Sequence, residues 1–176
     1  MSEGILPALT IGSKAPLFTL PDAQGSPHAL ADALARGPVL LAFFKLACPT
    51  CQYVLPFLQQ WANQLDGRAV TVWSISQDPP HHTRMFNQEF GIDMPQLFDS
   101  GEDLYPVSEA YGVSFVPSIF LVETDAVISH VSIGFNRKEF EQIAARLAEA
   151  AGLDRLEPFP AGLEVPLVIP GCGSKN

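Results

Sequence analysis

Three cysteines, Cys48, Cys51 and Cys172, are the side chains best suited to covalent chemistry in this sequence. The first two are separated by two residues in Cys-Pro-Thr-Cys, directly after a long apolar run. This spacing can serve as a redox couple, as half of a metal site, or as a peroxide-reactive thiol with an incidental neighbour. Three cysteines are too few for a disulfide-stapled scaffold, which favours a reactive site on a core-stabilised domain.

The cysteine pair is predicted to lie between a buried strand and a helix. Residues 38–47 form a nearly continuous apolar run, which is typical of a central strand buried on both faces. Pro49 suits a first helical turn, and the apolar spacing extends that helix to about Leu65. Cys48 then lies at the helix N-terminus, where unpaired N–H groups and the helix dipole stabilise a thiolate. Cys51, one turn further in, is placed to resolve a mixed disulfide.

Neighbouring residues are expected to tune the pair. Pro49 stiffens the turn, and Thr50 offers a hydroxyl without charge. Lys45 can favour a thiolate at Cys48, although a lysine at a strand end commonly just extends its ammonium group to solvent. Pro56 lies inside the predicted helix and should bend it.

The remaining segments alternate between strand and helix patterns. In chain order, we expect a strand at 69–76, a helix at 81–91, an extended piece at 94–99, a helix within 103–113, strands at 118–123 and 127–135, and a helix at 137–152. This order predicts an α/β fold with one mixed sheet flanked by helices. Gln77 and Asp78 follow a strand and either line the rim of a site or, for Asp78, cap the next helix.

Residues 1–152 are predicted to form a single domain, which begins with a small strand, turn and helix unit at 12–37. Residues 153–176 are rich in proline and lack periodicity, so we expect a tail that lies extended on the domain or is partly loose. Within this tail, Cys172 is flanked by glycines and looks accessible. It can act as a second resolving thiol, link to a partner, or have no redox role.

Composition narrows the classes of partner. The formal net charge is −9, and the ten lysine and arginine residues are scattered, which argues against nucleic acid. No apolar stretch reaches the roughly 20 residues of a membrane helix. The N-terminus lacks the basic region of a secretory signal, so a cytoplasmic location is expected. Adjacent His81 and His82 should project in different directions and ligate zinc poorly, so no metal or other cofactor is expected.

Together these segments resemble the thioredoxin-like superfamily in its redoxin branch, which holds TlpA-like thiol-disulfide reductases and AhpC/TSA peroxiredoxins. The resemblance covers about residues 12–152 and is carried by GSKAPLFTLPDAQGSPHAL, VLLAFFKLACPTC, the helix proline Pro56 and YGVSFVPSIFLV. It implies a thioredoxin fold with an N-terminal hairpin extension and a helical insertion. It also implies a cis peptide bond before Pro117 and a Val116 backbone that pairs with an extended substrate strand beside Cys48.

The sequence departs from both groups of the branch. Ala42 and Val54 stand where reductases carry a carboxylate proton acceptor, and Ala47 stands where a tryptophan is usual. Leu41 and Lys45 stand where peroxiredoxins carry the proline and hydroxyl of their peroxide-binding motif. We therefore predict a thiol–disulfide oxidoreductase that acts on protein or small-molecule disulfides and dithiols. A thiol peroxidase that reduces hydroperoxides and a non-catalytic binding protein are the alternatives.

Overall fold

The fold was obtained as a computed structural model, which describes residues 7–101 and 104–176. Residues 1–6, 102 and 103 lie outside these ranges, and with them parts of the predicted domain and the start of the predicted segment 103–113. The helices are α1 (Leu30–Leu34), α2 (Pro49–Gln64), α3 (Pro80–Phe90), α4 (Pro106–Ala110) and α5 (Arg137–Ala151). Over the described ranges, no helix has the length and apolar character needed to cross a membrane.

In the part of the chain that the structure describes, the strands form one five-stranded sheet and three two-stranded ladders. They are β1 (Thr19–Pro21), β2 (Pro27–Ala29), β3 (Val39–Phe44), β4 (Thr71–Ser76), β5 (Gln96–Phe98), β6 (Phe115–Val116), β7 (Ser118–Val122), β8 (Ile128–Ile133), β9 (Phe135–Asn136), β10 (Val168–Ile169) and β11 (Cys172–Gly173). The five-stranded sheet has the order β5-β4-β3-β7-β8. β3, β4 and β5 are parallel, and β7 is antiparallel to β3 and β8. β1 and β2 form the N-terminal hairpin.

This mixed sheet with its helices and hairpin confirms the predicted thioredoxin-like fold. β3 is the central strand, and all six of its residues are buried, as the apolar run predicts for a strand covered on both faces. The chain leaves β3 at Phe44 and enters α2 at Pro49. The redox motif therefore lies at the carboxyl end of the central strand.

Helix α2 begins where the sequence indicates and ends at Gln64, one residue before the predicted end. It continues through Pro56 as a single helix and buries an apolar stripe that includes Leu55, Leu58 and Trp61. This stripe fixes α2 on the core, so the first turn, and the sulfur atoms in it, are held by the packing of the whole helix.

Residues 153–176 return across the domain and reach the redox motif. The Trp61 indole N–H donates to the Pro158 carbonyl over 2.9 Å, and Phe159 packs against Phe57 and Phe135. Further on, β10 pairs with β9 and β11 pairs with β6. The sequence does not indicate β10 or β11, because a strand of two residues is too short to show a hydrophobic period.

Candidate redox site

Cys48 occupies the N-cap position of α2. Its Sγ accepts a hydrogen bond from the Cys51 backbone N–H at 3.1 Å, and in the thiol form donates to the Val116 carbonyl at 3.4 Å. Cys48 and Cys51 are both fully buried. The sulfur thus satisfies one of the N–H groups that every helix leaves unpaired at its first turn.

The pKa values of the two thiols in the motif are shifted in opposite directions. The pKa of Cys48 falls to about 5, first because the Cys51 thiol hydrogen-bonds to it, and further through the thiol and backbone of Cys172, while burial acts in the opposite direction. Burial raises the pKa of Cys51, and the hydrogen bond with Cys48 and the Cys48 charge raise it further. At neutral pH the site therefore holds a thiolate at Cys48 and a protonated thiol at Cys51.

The chain segment facing this thiolate contains Pro117. The Val116–Pro117 peptide bond is cis, in agreement with the expectation from the resemblance. β6 ends at Val116, immediately before this bond, and its last carbonyl is the one that Cys48 contacts. A backbone edge for pairing therefore lies next to the reactive sulfur.

All three cysteines meet at this site. Cys172, in β11, lies opposite Val116 in the antiparallel pairing and contributes to the low pKa of Cys48. The Thr50 hydroxyl donates to the Pro170 carbonyl over 2.7 Å, so the residue between the motif cysteines holds the tail. Sequence reasoning left the role of Cys172 open, because its position depends on pairing between segments that are distant in the chain.

The other predicted supporting residues, Pro49, Pro56 and Lys45, lie on α2 or just before it. Pro49 is the exposed first residue of α2, and Pro56 lies further along the same helix. Lys45 is partly buried, and its positive charge acts on Cys172, where it opposes the rise in that thiol's pKa. Ala42 and Val54 are buried and apolar, so the described site has no carboxylate at either position expected for a proton acceptor.

The sequence offers two roles for the residues after β4: Gln77 and Asp78 line the rim of the site, or Asp78 caps the next helix. The capping role for Asp78 is wrong. The N-cap of α3 is Pro79, and no side chain caps this helix. Instead, the Asp78 carboxylate accepts the Leu46 N–H at 2.8 Å and forms an ion pair with Lys175 at 2.8 Å. These residues therefore tie the loop before Cys48 to the tail. The signal available in the sequence was their location after a strand end.

The histidine pair lies elsewhere. His81 and His82 are exposed at the start of α3. Their ring centroids are only 4.0 Å apart, so the expectation that the two side chains project in different directions is wrong. Over residues 7–101 and 104–176, no group of three or more histidine, cysteine, aspartate or glutamate side chains has an arrangement that could hold a metal ion.

Residues 11–131 match the AhpC/TSA family. The chain belongs to this family. It is 28% identical over 133 residues to the thiol-disulfide oxidoreductase ResA of Geobacillus thermodenitrificans, covering 75% of this chain and 74% of ResA. It is 29% identical over 129 residues to a Mycobacterium tuberculosis protein named "Putative peroxiredoxin Rv2521", covering 68% of this chain and 82% of that protein.

The fold is shared with solved structures of the same superfamily. The thioredoxin domain of a thiol-disulfide oxidoreductase from Bacteroides vulgatus superposes with a TM-score of 0.69 at 23% identity, covering 80% of this chain and 99% of that domain. At this level of identity the likeness concerns the fold. The relatives of this chain thus carry the names of both enzyme classes that the sequence suggested.

Proposed function

We propose that this AhpC/TSA protein is a thiol–disulfide oxidoreductase that acts on protein disulfides through Cys48 and Cys51. The main observation behind the proposal is that the pKa of Cys48 is lowered and that of Cys51 is raised. The motif therefore holds a thiolate at the helix N-cap and a protonated thiol 3 residues further along the chain. An attacking thiolate and a nearby second thiol are what disulfide exchange requires. The similarity to ResA supports the same reaction class.

The reaction has two exchange steps. The Cys48 thiolate attacks one sulfur of the substrate disulfide, forms a mixed disulfide and releases the other substrate sulfur as a thiolate. This attack removes the negative charge of Cys48, which had raised the pKa of Cys51. Cys51 then attacks Cys48 Sγ, the second substrate sulfur leaves, and the departing sulfur takes the Cys51 proton. Two electrons have passed from the enzyme dithiol to the substrate disulfide, and the reverse sequence oxidises a dithiol.

Reduction of insulin disulfides with dithiothreitol as the electron source tests this function. Cys48→Ser should abolish turnover because it removes the nucleophile. The matched double variant Cys51→Ser/Cys172→Ser, which keeps no second thiol at the site, should still attack once. Mixed with insulin in the absence of dithiothreitol, it should accumulate a covalent adduct at Cys48, seen by mass spectrometry of the unreduced protein. Turnover that survives Cys48→Ser would refute the assignment of the nucleophile.

A thiol peroxidase is the second candidate, favoured by the low pKa of Cys48 and by the relative named as a peroxiredoxin. In that reaction the thiolate attacks an oxygen of the hydroperoxide, the O–O bond breaks, and the rest of the peroxide leaves as an alcohol, or as water from hydrogen peroxide. Cys48 becomes a sulfenic acid, which the Cys51 thiol condenses to a disulfide with loss of water. Lys45 replaces the expected hydroxyl, so we expect slow peroxide consumption. Rapid peroxide consumption without insulin turnover would favour this candidate.

A cytoplasmic location remains a prediction, which immunodetection in cell fractions can test.

A further inference from the structure

The tail covers the nucleophile by pairing with the strand that faces it. β11 runs antiparallel to β6, and Cys172 lies opposite Val116. The pairing continues one residue further, because the Ser174 N–H donates to the Ser114 carbonyl over 3.0 Å. An extended segment is therefore already bound along β6, in the manner of a peptide that adds to an exposed strand edge.

Polar contacts hold this segment at both ends. Before β11, the Pro170 carbonyl accepts the Thr50 hydroxyl at 2.7 Å. After β11, the Lys175 backbone N–H donates to the Gln77 side chain at 2.9 Å, and the Lys175 ammonium pairs with Asp78 at 2.8 Å. The anchoring residues come from the first turn of α2 and from the end of β4. The tail is thus fixed to α2, which begins at the cysteine pair, and to the residues just after β4, of which Asp78 also holds the Leu46 N–H before Cys48.

The close approach depends on a glycine beside Cys172. A Cβ atom at Gly171 would lie 2.8 Å from the Val116 carbonyl oxygen, which is closer than such atoms come. Gly173, on the other side of Cys172, has open space around the corresponding position. We therefore expect alanine at Gly171 to disturb the pairing of β11 with β6 and alanine at Gly173 to leave it intact. The two substitutions can serve as a test and its matched control.

The three cysteines influence one another at this site. Cys48 is fully buried, and the thiol and backbone of Cys172, which pairs opposite Val116, both lower the pKa of Cys48. The hydrogen bond with Cys48 is the main reason that the pKa of Cys172 is raised, and it belongs to the reduced state, in which Cys48 carries the charge. Cys172 itself is partly exposed.

We propose that Cys172 is a third redox cysteine, which exchanges with the Cys48–Cys51 disulfide while the tail lies on β6. The proposal rests on the proposed function, which supplies that disulfide. The Cys172 sulfur attacks Cys48 Sγ, the Cys48–Cys51 bond breaks, and the Cys48–Cys172 bond forms. Cys51 leaves as a thiolate and takes the proton lost by Cys172. One disulfide is present before and after, so no external oxidant is needed.

The exchange produces a self-capped oxidised state. A Cys48–Cys172 disulfide fastens the tail on the β6 edge, and a substrate strand that pairs with Val116 is then excluded. Reduction of this bond, or its return to Cys48–Cys51, leaves the tail held on the edge by non-covalent contacts alone, as in the reduced structure, so that a substrate strand can displace it. The tail thereby sets which oxidised form of the enzyme exchanges with protein substrates.

The Cys51→Ser variant isolates the proposed linkage. With oxidised glutathione, its Cys48 should first form a glutathione adduct, and Cys172 should then displace the glutathione and close a Cys48–Cys172 disulfide within one chain. Mass spectrometry of the unreduced protein and of its peptides should show a monomer without glutathione and with these two cysteines linked. The double variant Cys51→Ser/Cys172→Ser should stop at the adduct. A Cys51→Ser protein that retains glutathione as fully as the double variant would overturn the proposal.

The two glycines test whether the pairing brings the thiols together. In the Cys51→Ser background, Gly171→Ala should slow the release of glutathione about tenfold or more, because it removes the orientation of Cys172. Gly173→Ala should leave the rate near that of the parent, and circular dichroism checks that both variants are folded. Equal rates in the two variants would contradict the role of the paired tail.

These readouts do not depend on insulin turnover. If the wild-type chain fails to reduce insulin but Cys51→Ser closes the linkage, the proposed function fails and the exchange chemistry of Cys172 stands. If insulin is reduced and the linkage never forms, the proposed function stands and Cys172 is excluded as a redox cysteine.

Discussion

Replacing Cys51 by alanine should raise the pKa of Cys48, because it removes the thiol donor that does most to lower it. A hydrogen bond to a charged group is worth about 1.5–3 kcal/mol, and one pKa unit corresponds to about 1.4 kcal/mol. The titration midpoint should therefore rise from about 5 by about one to two pH units. The backbone N–H of residue 51, 3.1 Å from the sulfur, survives the change and keeps the midpoint below that of an ordinary thiol.

Ultraviolet absorbance of the thiolate, followed during a pH titration of the reduced protein, measures this midpoint without any reagent reaching the buried sulfur. Cys48→Ser supplies the background. Cys51→Ser is the matched control, because its hydroxyl can still donate to the thiolate and should shift the midpoint less than alanine does. Identical midpoints in the wild-type and alanine proteins would refute the view that the Cys51 thiol is the main stabilising donor.

Two further predictions concern stability. The pKa of Cys48 is about 5 in the folded protein and 9.0 for an ordinary thiol. Between these two pH values the unfolded reduced chain therefore binds more protons than the folded one. The free energy of unfolding should decrease as the pH falls through this window. Urea unfolding of the reduced protein at about pH 6 and about pH 8 should show the decrease. The decrease should be smaller in Cys48→Ser, which keeps the contribution of His130, whose pKa burial also lowers. Gln59→Leu should cost about 1–3 kcal/mol per buried group left unpaired, since the Gln59 side-chain oxygen accepts the N–H groups of Asp93 and Met94 at 2.8 Å each. The same change at the exposed neighbour Gln60 should have little effect, and equal losses at the two positions would contradict this account.

Local signals were sufficient for most of the fold. The apolar run before Cys48 predicted a central strand, and Pro49 marked the first residue of α2. The predicted helices at 81–91 and 137–152 end with Gly91 and Gly152, and both glycines follow the last helical residue in a left-handed conformation, in which glycine commonly ends a helix. These features depend on a few adjacent residues, so one sequence contains the information needed to predict them.

The parts that could not be predicted depend on contacts between distant segments. The sequence placed Cys172 in a tail of uncertain position, whereas the structure places it opposite Val116. Asp78 likewise has a partner, Lys175, that lies 97 residues further along the chain. A backbone pairing of two residues and a single ion pair contribute no periodicity, so their partners become apparent only in three dimensions.

The short ladder between β6 and β11 also affects how this protein meets other chains. A strand edge with unpaired N–H and C=O groups is a template for addition of extended segments and a common starting point of aggregation. Here Cys172 and Gly173 stand opposite both residues of β6. The tail therefore protects this rim against unwanted strand addition. A genuine partner that binds there gains backbone hydrogen bonds only by breaking others of the same kind, so its selectivity must come from side chains and sulfur chemistry.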